Sequence, residues 1–238
     1  MTAHIVTMGG GGFSMSELGA PTNLDRYLIE ISGKSSPLVC FAPTASADDP
    51  QYINKFLLAY GTLGVRTMVL TLWDGSSTDS IARIADADIV LVGGGHTVNL
   101  LALWKAHGVD KAIKARAKHD DVVLAGVGAG GACWYSGCIT DTFGDYRAWR
   151  GGLNLVEGSF CPHFDGEAGR APAYTDAVAS GDLPGGFAAD DGAGIHYVDG
   201  VAQHFVSEAP GKRVYKVFPS DLPTSSGVLV EPQQMTVL

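Results

Sequence analysis

The chain has 238 residues, of which 46% are hydrophobic and 17% are charged. This length and apolar content suit one large α/β domain with a well-buried core, and they exclude a disordered or coiled-coil chain. The formal net charge of −9 argues against nucleic acid or an anionic membrane as a partner, because both are bound through a basic face.

The apolar runs have the length of strands, far short of the roughly 20 residues that a membrane helix needs. The start of the chain, Met1-Thr2-Ala3-His4, has neither the basic region nor the long apolar stretch of a signal peptide. The four cysteines (Cys40, Cys133, Cys138 and Cys161) have neither metal-finger spacing nor the density of a disulfide scaffold. We therefore expect a reduced, cytoplasmic protein without a cofactor.

Strand-like and helix-like segments alternate over the first 130 residues. The predicted strands cover residues 4–8, 38–42, 65–72 and 88–92, followed by the apolar run that begins at Val122. The predicted helices cover residues 22–32, a segment from Pro50 to Tyr60, and residues 79–85, 97–107 and 110–118. This alternation predicts a doubly wound, mostly parallel sheet flanked by helices.

Two of these helices carry clear boundary signals. Asp48 or Asp49 is expected to cap the helix that has Pro50 in its first turn, and Thr97 to cap the helix that ends before Gly108. The inward faces are expected to carry Ile53, Phe56, Leu57 and Tyr60 in the first helix, and Leu100, Leu101 and Trp104 in the second.

The last third of the chain has a different pattern. A short helix is predicted over residues 173–179, and segments near 186–197, 201–207 and 213–218 alternate like antiparallel strands that close the sheet. The sequence contains no repeat, linker or low-complexity tract. We therefore expect a single domain over residues 1–238.

Glycine-rich turns follow three of the predicted strands. Gly9–Gly12 suits either a close approach of the backbone to a ligand or loop, or simple chain flexibility. Gly126-Val127-Gly128-Ala129-Gly130 joins a strand to a helix-like segment, which is the layout of a nucleophile elbow. The central position of that elbow should carry the nucleophile, and here it is Gly128.

Residues for the remaining parts of an acyl-transfer site follow in the order nucleophile, base, acid. His163 lies in a Pro-His-Phe-Asp segment, and Asp190 and Asp191 come after an apolar, strand-like run. The third glycine-rich turn, Gly93-Gly94-Gly95, and the Ala129 N–H are candidate oxyanion donors.

Six motifs carry a family resemblance. They are Gly9–Phe13, Phe41–Ala45, Val92–Thr97 with Asn99–Leu101, Ala125–Trp134, Ser159–Glu167 and Ala189–Gly192. Through them the chain resembles, over nearly its whole length, the peptidase E (α-aspartyl dipeptidase) family of serine peptidases. These are relatives of cyanophycinase with a glutamine-amidotransferase-like fold. The resemblance implies hydrolysis of dipeptides after an amino-terminal aspartate through an acyl-enzyme.

The resemblance also implies roles for individual residues. His163 corresponds to the general base and Asp191 to the acid that orients it, with Asp190 as the neighbouring alternative. Asp141 resembles a position proposed for that orienting role in part of the family. Gly94, Gly95 and the Ala129 N–H resemble the oxyanion donors. Further candidates for ligand contacts are His96, Asp141, Tyr146, Arg147, Trp149 and Arg150, although this stretch of loop also suits plain solvent exposure.

The chain departs from the family at two positions. The serine of the family falls on Gly128, and the Asn or Asp of its Gly-Gly-Asn/Asp-Thr turn falls on His96. Three hypotheses follow: a peptidase without its nucleophile, a repurposed biosynthetic enzyme using acid–base chemistry of His96 and His163, or a non-catalytic binding protein. The ligand is expected to be a small amino-acid-like or dipeptide-like molecule, and the protein a monomer or homodimer.

A substitute nucleophile or a metal would change these hypotheses. Cys133 is expected to point into the core and Ser136 lies farther along, whereas Ser14 and Ser46 are on loops at the same sheet edge. His163 and Asp165 form a close pair without a third ligand, so no metal site is expected.

Overall fold

The computed structural model describes residues 3–17, 19–73, 78–220 and 227–238. The strands are β1 (His4–Met8), β2 (Leu38–Ala42), β3 (Arg66–Val69), β4 (Ile89–Val92), β5 (Val123–Val127), β6 (Gly137–Thr140), β7 (Arg147–Arg150), β8 (Ser159–Cys161), β9 (Gly186–Ala189), β10 (Ala193–Val198), β11 (Val201–Ser207), β12 (Val214–Pro219), β13 (Val228–Pro232) and β14 (Thr236–Val237). The helices are α1 (Gly12–Met15), α2 (Asn23–Ile31), α3 (Pro50–Gly61), α4 (Thr78–Ala82), α5 (Thr97–His107), α6 (Val109–Arg116), α7 (Ala129–Ala132) and α8 (Arg170–Ala179).

The larger sheet has the strand order β14-β11-β10-β1-β5-β4-β2-β3. Strands β1 to β5 run parallel within it, which confirms the predicted doubly wound α/β core. Met8 pairs with Val127, and Gly126 pairs with Val92. This register brings the glycine-rich turns after β1, β4 and β5 together at the carboxyl edge of the sheet.

A second sheet, with the order β13-β12-β9-β8-β6-β7, was not predicted. The three antiparallel segments do not all close one sheet: β10 and β11 join the first, whereas β9 and β12 belong to the second. The segment 186–197 divides because β9 pairs in parallel with β8, and β10 pairs antiparallel with β1. Asp190 and Asp191 therefore lie where the chain crosses from one sheet to the other.

Asp48 and Asp49 have separate roles. Asp49 caps α3 by accepting the Gln51 N–H at 3.0 Å. Asp48 instead accepts the backbone N–H groups of Leu72 and Trp73 at 2.5 and 2.8 Å. These contacts hold the chain after β3, and the strand predicted over residues 65–72 ends at Val69.

Two further details of the predicted helices were wrong. Thr97 is the first residue of α5 and not its cap, because the preceding His96 has an extended backbone and Thr97 is buried. Leu57 is 42% exposed, since the buried face of α3 carries Phe56, Ala59 and Tyr60. Leu100, Leu101 and Trp104 are buried in α5 as predicted.

Apolar side chains pack on both faces of the larger sheet. On one face, Phe56 and Tyr60 of α3 pack with Phe13 and Phe41 in an aromatic cluster. On the other, a continuous cluster reaches from Trp104 across to Phe160 in β8 and so joins the two sheets. No helix in the described ranges is both long and apolar enough to cross a membrane.

Candidate active site

Gly128 occupies a sharp turn between β5 and α7. Its φ of 57° and ψ of −117° lie in a region that L-residues rarely adopt, as at the nucleophile position of an elbow. A side chain on Gly126 would overlap the carbonyl of Gly130, and one on Gly130 would overlap the carbonyl of Val92. The flanking glycines are therefore required by the close backbone packing of the turn.

His163 faces the elbow. A Cβ atom on Gly128 would lie 3.0 Å from His163 Nε2. On the other side of the ring, Nδ1 lies 2.6 Å from Asp191 Oδ1. If Nδ1–H donates to the carboxylate, Nε2 is left as a proton acceptor directed at the elbow, which is the arrangement that a general base needs.

Asp191 is fixed from several directions. A Cβ atom on Gly10 or on Gly166 would collide with its carboxylate, so both glycines leave the space that this side chain fills. The Asp191 N–H donates to Asp165 Oδ1 at 2.9 Å, and Asp165 pairs with Lys212 at 2.5 Å. Partial burial raises the pKa of Asp165, but the hydrogen bonds from Lys212 and the Asp191 N–H, together with the Lys212 charge, outweigh that effect and hold the pKa below the usual value.

Asp190, the other candidate for the orienting acid, points elsewhere. Its Oδ2 accepts the Arg213 N–H at 2.9 Å, and its Oδ1 has no hydrogen-bond partner among the described residues. Burial raises the pKa of this carboxyl group. The geometry thus pairs His163 with Asp191 and leaves Asp190 in a structural contact with Arg213, the residue before β12 of the second sheet.

The candidate oxyanion donors differ in their surroundings. Gly95 and Ala129 line the same cleft as His163. The N–H of Gly94 donates to the Tyr52 hydroxyl at 3.3 Å. Gly95 has a φ of 136°, and its position has no room for a Cβ atom beside the Ala45 carbonyl.

The cleft has a volume of about 190 Å³ and a polar wall. Arg170, which sequence reasoning missed, is buried in this wall. The Arg170 Nε donates to Glu167 Oε2 at 2.6 Å, and the Arg170 Nη2 lies 3.6 Å from Asp141 Oδ2. Partial burial raises the pKa of Glu167, but hydrogen bonds from Arg170 and Tyr146 outweigh it and keep the pKa low. An acid–base pair three residues apart at the start of a helix was the available signal.

The other predicted ligand contacts divide into two groups. Asp141 lines the cleft, and Tyr146 supports it by donating to Glu167 at 2.8 Å beneath the Arg170 guanidinium. The other four predicted contacts are outside the lining of the cleft, and one of them, Trp149, packs against the hydrophobic core instead. Arg147 pairs with Asp145, Arg150 donates to the carbonyls of Gly181 and Asp182, and His96 is exposed at the start of α5.

The side chains considered as substitute nucleophiles are hydrogen-bonded to backbone carbonyls. Cys133 is buried with its Sγ 3.0 Å from the Gly130 carbonyl, and burial raises its pKa well above the usual value. Ser14, Ser46 and Ser136 donate their hydroxyl groups to the carbonyls of Gly11, Pro43 and Gly158. Within the described ranges, no group of three or more His, Cys, Asp or Glu residues is placed to hold a metal ion.

A nucleophile elbow facing a histidine–carboxylate pair, at the carboxyl edge of a parallel sheet, defines a hydrolase scaffold of the acyl-transfer class. The chain belongs to peptidase family S51, whose sequence profile matches residues 5–205. It is 40% identical over 216 residues to "Uncharacterized peptidase YgaJ" of Bacillus subtilis (strain 168), covering 90% of this chain and 91% of that protein.

Solved structures show the same fold. A peptidase from an acI-B1 Actinobacterium superposes with a TM-score of 0.69 at 16% identity, covering 97% of this chain and 95% of the other. A "Putative Peptidase E Protein" from Listeria monocytogenes EGD-e superposes with a TM-score of 0.62 at 18% identity, covering 85% of this chain and 98% of the other. The family and fold inferred from the sequence motifs are thereby confirmed.

Proposed function

We propose that this protein binds amino-terminal aspartyl dipeptides in an S51-type cleft and has little or no peptidase activity, because Gly128 supplies no nucleophile. The observation that carries the proposal is the distance of 3.0 Å between His163 Nε2 and the Cβ position at Gly128. A serine hydroxyl one bond beyond that Cβ would lie within hydrogen-bonding reach of the base. The proposal assigns His163 as the base and Asp191 as its orienting acid, and Gly128 offers no side-chain atom that could attack.

The charges of the cleft support the choice of ligand. Asp141 and Glu167 outnumber Arg170, which favours a cationic α-amino group at this wall. The Arg170 guanidinium offers a partner for a carboxylate side chain, as an aspartyl residue would present. A volume of about 190 Å³ suits one amino-acid residue better than a longer peptide segment.

The test is a comparison of this chain with its Gly128→Ser and Gly128→Ala variants on Asp-Leu and Ala-Leu. We expect the serine variant alone to cleave Asp-Leu, and Ala-Leu to be a poor substrate. Gly128→Ala controls for the effect of adding a Cβ at the strained position. Turnover by the unmodified protein at the rate of the serine variant would contradict the proposal, as would an inactive but folded serine variant.

The second candidate is a repurposed enzyme that needs no covalent intermediate. It is favoured by the intact pair of His163 and Asp191, because the free Nε2 could take a proton from a bound ligand directly. His96, which motivated this hypothesis, lies outside the lining of the cleft, so the chemistry would rest on His163. A reaction of this kind would be lost in His163→Gln and unchanged in His96→Asn.

A non-catalytic binding protein is the third hypothesis, and it makes a separate prediction. Such a protein retains a small ligand through purification without converting it. Native mass spectrometry of freshly purified protein, before and after denaturation, would detect a ligand of that kind.

A further inference from the structure

A second cavity lies beside the cleft, on the other side of the turn that follows β4. It has a volume of about 380 Å³ and is lined by Ser14, Asp49, Gln51, Tyr52, Lys55 and Gly94. Its residues come from α1, from the start of α3 and from the glycine-rich turn. It therefore opens at the same carboxyl edge of the sheet as His163.

Gly94 and Gly95 separate the second cavity from the cleft. Gly94 lines the second cavity, and Gly95 lines the cleft. The Cα of Gly94 lies 3.8 Å from the Cβ position at Gly128, so the elbow adjoins the boundary between the two spaces. A ligand whose reacting bond lies over the elbow can therefore extend into both.

The wall of the second cavity is firmly supported. The Tyr52 ring stacks on Phe13 at 5.5 Å and meets Phe41 edge-on at 5.1 Å. Its hydroxyl accepts the Gly94 N–H, which links this wall directly to the glycine-rich turn. The cavity is thus built on the aromatic core and does not depend on loop contacts alone.

Lys55 supplies a positive charge in this wall. Its ammonium group donates to the Ser14 carbonyl at 2.8 Å, which leaves two of its three donors for other partners. No carboxylate in the described part of the chain forms an ion pair with it. Asp49, the acidic residue of the wall, already accepts the Gln51 N–H as the cap of α3.

The two spaces thus differ in charge. The cleft has two carboxylates against one guanidinium. The second cavity has one carboxylate, that of Asp49 at the cap of α3, and one ammonium, that of Lys55, which forms no ion pair within the described residues. A dipeptide has the opposite pattern, with an ammonium at one end and a carboxylate at the other. Complementary placement of such charges determines the orientation of a bound molecule.

We infer that the second cavity binds the carboxy-terminal residue of the dipeptide, with Lys55 pairing its free carboxylate. This inference rests on the proposed function, since it assigns the other half of the same ligand. It makes the site selective for peptides whose free carboxylate follows the reacting bond by one residue, that is, for dipeptides over longer or amidated peptides.

The test measures binding to the unmodified chain by calorimetry, with Asp-Leu and its carboxy-terminal amide as probes. A charge-assisted hydrogen bond in a partly buried site predicts about tenfold tighter binding of the acid. Lys55→Met should abolish that preference, and Lys55→Arg should retain part of it. Lys111→Met, at an exposed position of α6, is the matched control and should leave the preference unchanged.

The outcomes separate this inference from the proposed function. Equal binding of acid and amide by the unmodified chain overturns the role of Lys55 but leaves dipeptide binding intact. A preference that survives in folded Lys55→Met overturns it equally. If the unmodified chain binds neither probe, the dipeptide is the wrong ligand, and both proposals fail together.

Discussion

The carboxylate of Asp191 occupies the space that a side chain on Gly10 would fill. The two residues also form an isolated parallel bridge, in which the Gly192 N–H donates to the Gly10 carbonyl at 3.0 Å. Of the two interpretations of Gly9–Gly12, close approach and flexibility, the structure supports close approach. The turn after β1 thus positions the acid that contacts His163, although the two segments are far apart in sequence.

Gly10→Ala is expected to displace the Asp191 side chain and to destabilise the protein by about 1 to 3 kcal/mol, because an added methyl group would overlap the Asp191 carboxylate and crowd the Met15 sulfur. In a Gly128→Ser background it should also lower kcat/KM about 100-fold, since His163 loses its orienting partner. Denaturant unfolding and Asp-Leu hydrolysis are the measurements.

The matched control for this substitution is Gly61→Ala. Gly61 ends α3, and a Cβ atom there meets nothing within 4 Å. Alanine at this position should be neutral or stabilise the protein by up to about 1 kcal/mol. Equal effects of the two substitutions would show that Gly10 has no special relationship with Asp191.

Gly128 makes a related prediction about stability. Gly128→Ala and Gly128→Ser should each lower the free energy of unfolding by about 1 to 3 kcal/mol, because both place a Cβ at a φ of 57° and close to His163. Thermal or denaturant unfolding of the three proteins measures this cost. Variants as stable as the unmodified chain would mean that the turn is not strained for L-residues.

Four strands of the parallel core, β1, β2, β4 and β5, were predictable because they are buried on both faces and appear as continuous apolar runs. The short strands β6, β7 and β8 lack that signal. β7 is an edge strand with the sequence Arg-Ala-Trp-Arg, and only its Trp149 is even half-buried. The second sheet depends on pairings between strands distant in sequence, such as β6 with β8, which local pattern does not reveal.

In the candidate site, too, some residues could be predicted from local sequence and others depend on long-range packing. Gly128, His163 and Asp191 belong to motifs with a recognisable order, and in the structure His163 contacts Asp191 and faces the Cβ position of Gly128. The spacing of Glu167 and Arg170 is a weak signal by itself, and the place of Arg170 in the cleft follows from packing, since α8 brings its guanidinium over the Tyr146 ring and beside Glu167. Arg147 and Arg150 are close to the site in sequence, but the edge position of β7 directs them to other partners.

Arg170→Met is expected to destabilise the protein by about 2 kcal/mol, because it removes a buried cation from Glu167 and from the Ile139 carbonyl. It should also reduce the preference for Asp-Leu over Ala-Leu in calorimetric binding. Arg147→Met is the matched control, because its pair with Asp145 is exposed and should contribute less than about 1 kcal/mol. If the two substitutions have equal effects, Arg170 is not a structural centre of the cleft.

A cluster of histidines lies at the amino-terminal end of β1, away from the candidate site, and predicts that the stability of the protein falls at acidic pH. His196 is buried, with His4 Nδ1 at 2.8 Å from one ring nitrogen and the Tyr27 hydroxyl at 2.7 Å from the other. The His204 ring lies 5.3 Å away. Burial, with smaller contributions from His4 and His204, lowers the pKa of His196 to about 4.

Because the pKa of His196 is lower in the folded protein, the unfolded chain binds more protons between about pH 6.5 and pH 4. The contribution of neutral His196 to the free energy of unfolding is therefore complete above this pH range. About 2 to 3 kcal/mol of that free energy is lost as the pH falls through the range. We expect His196→Gln to flatten this part of the pH–stability curve, and His119→Gln, at an exposed position, to leave it unchanged. Urea unfolding at intervals of pH measures the curve, and an identical slope in His196→Gln and the unmodified chain would assign the acid sensitivity to other groups.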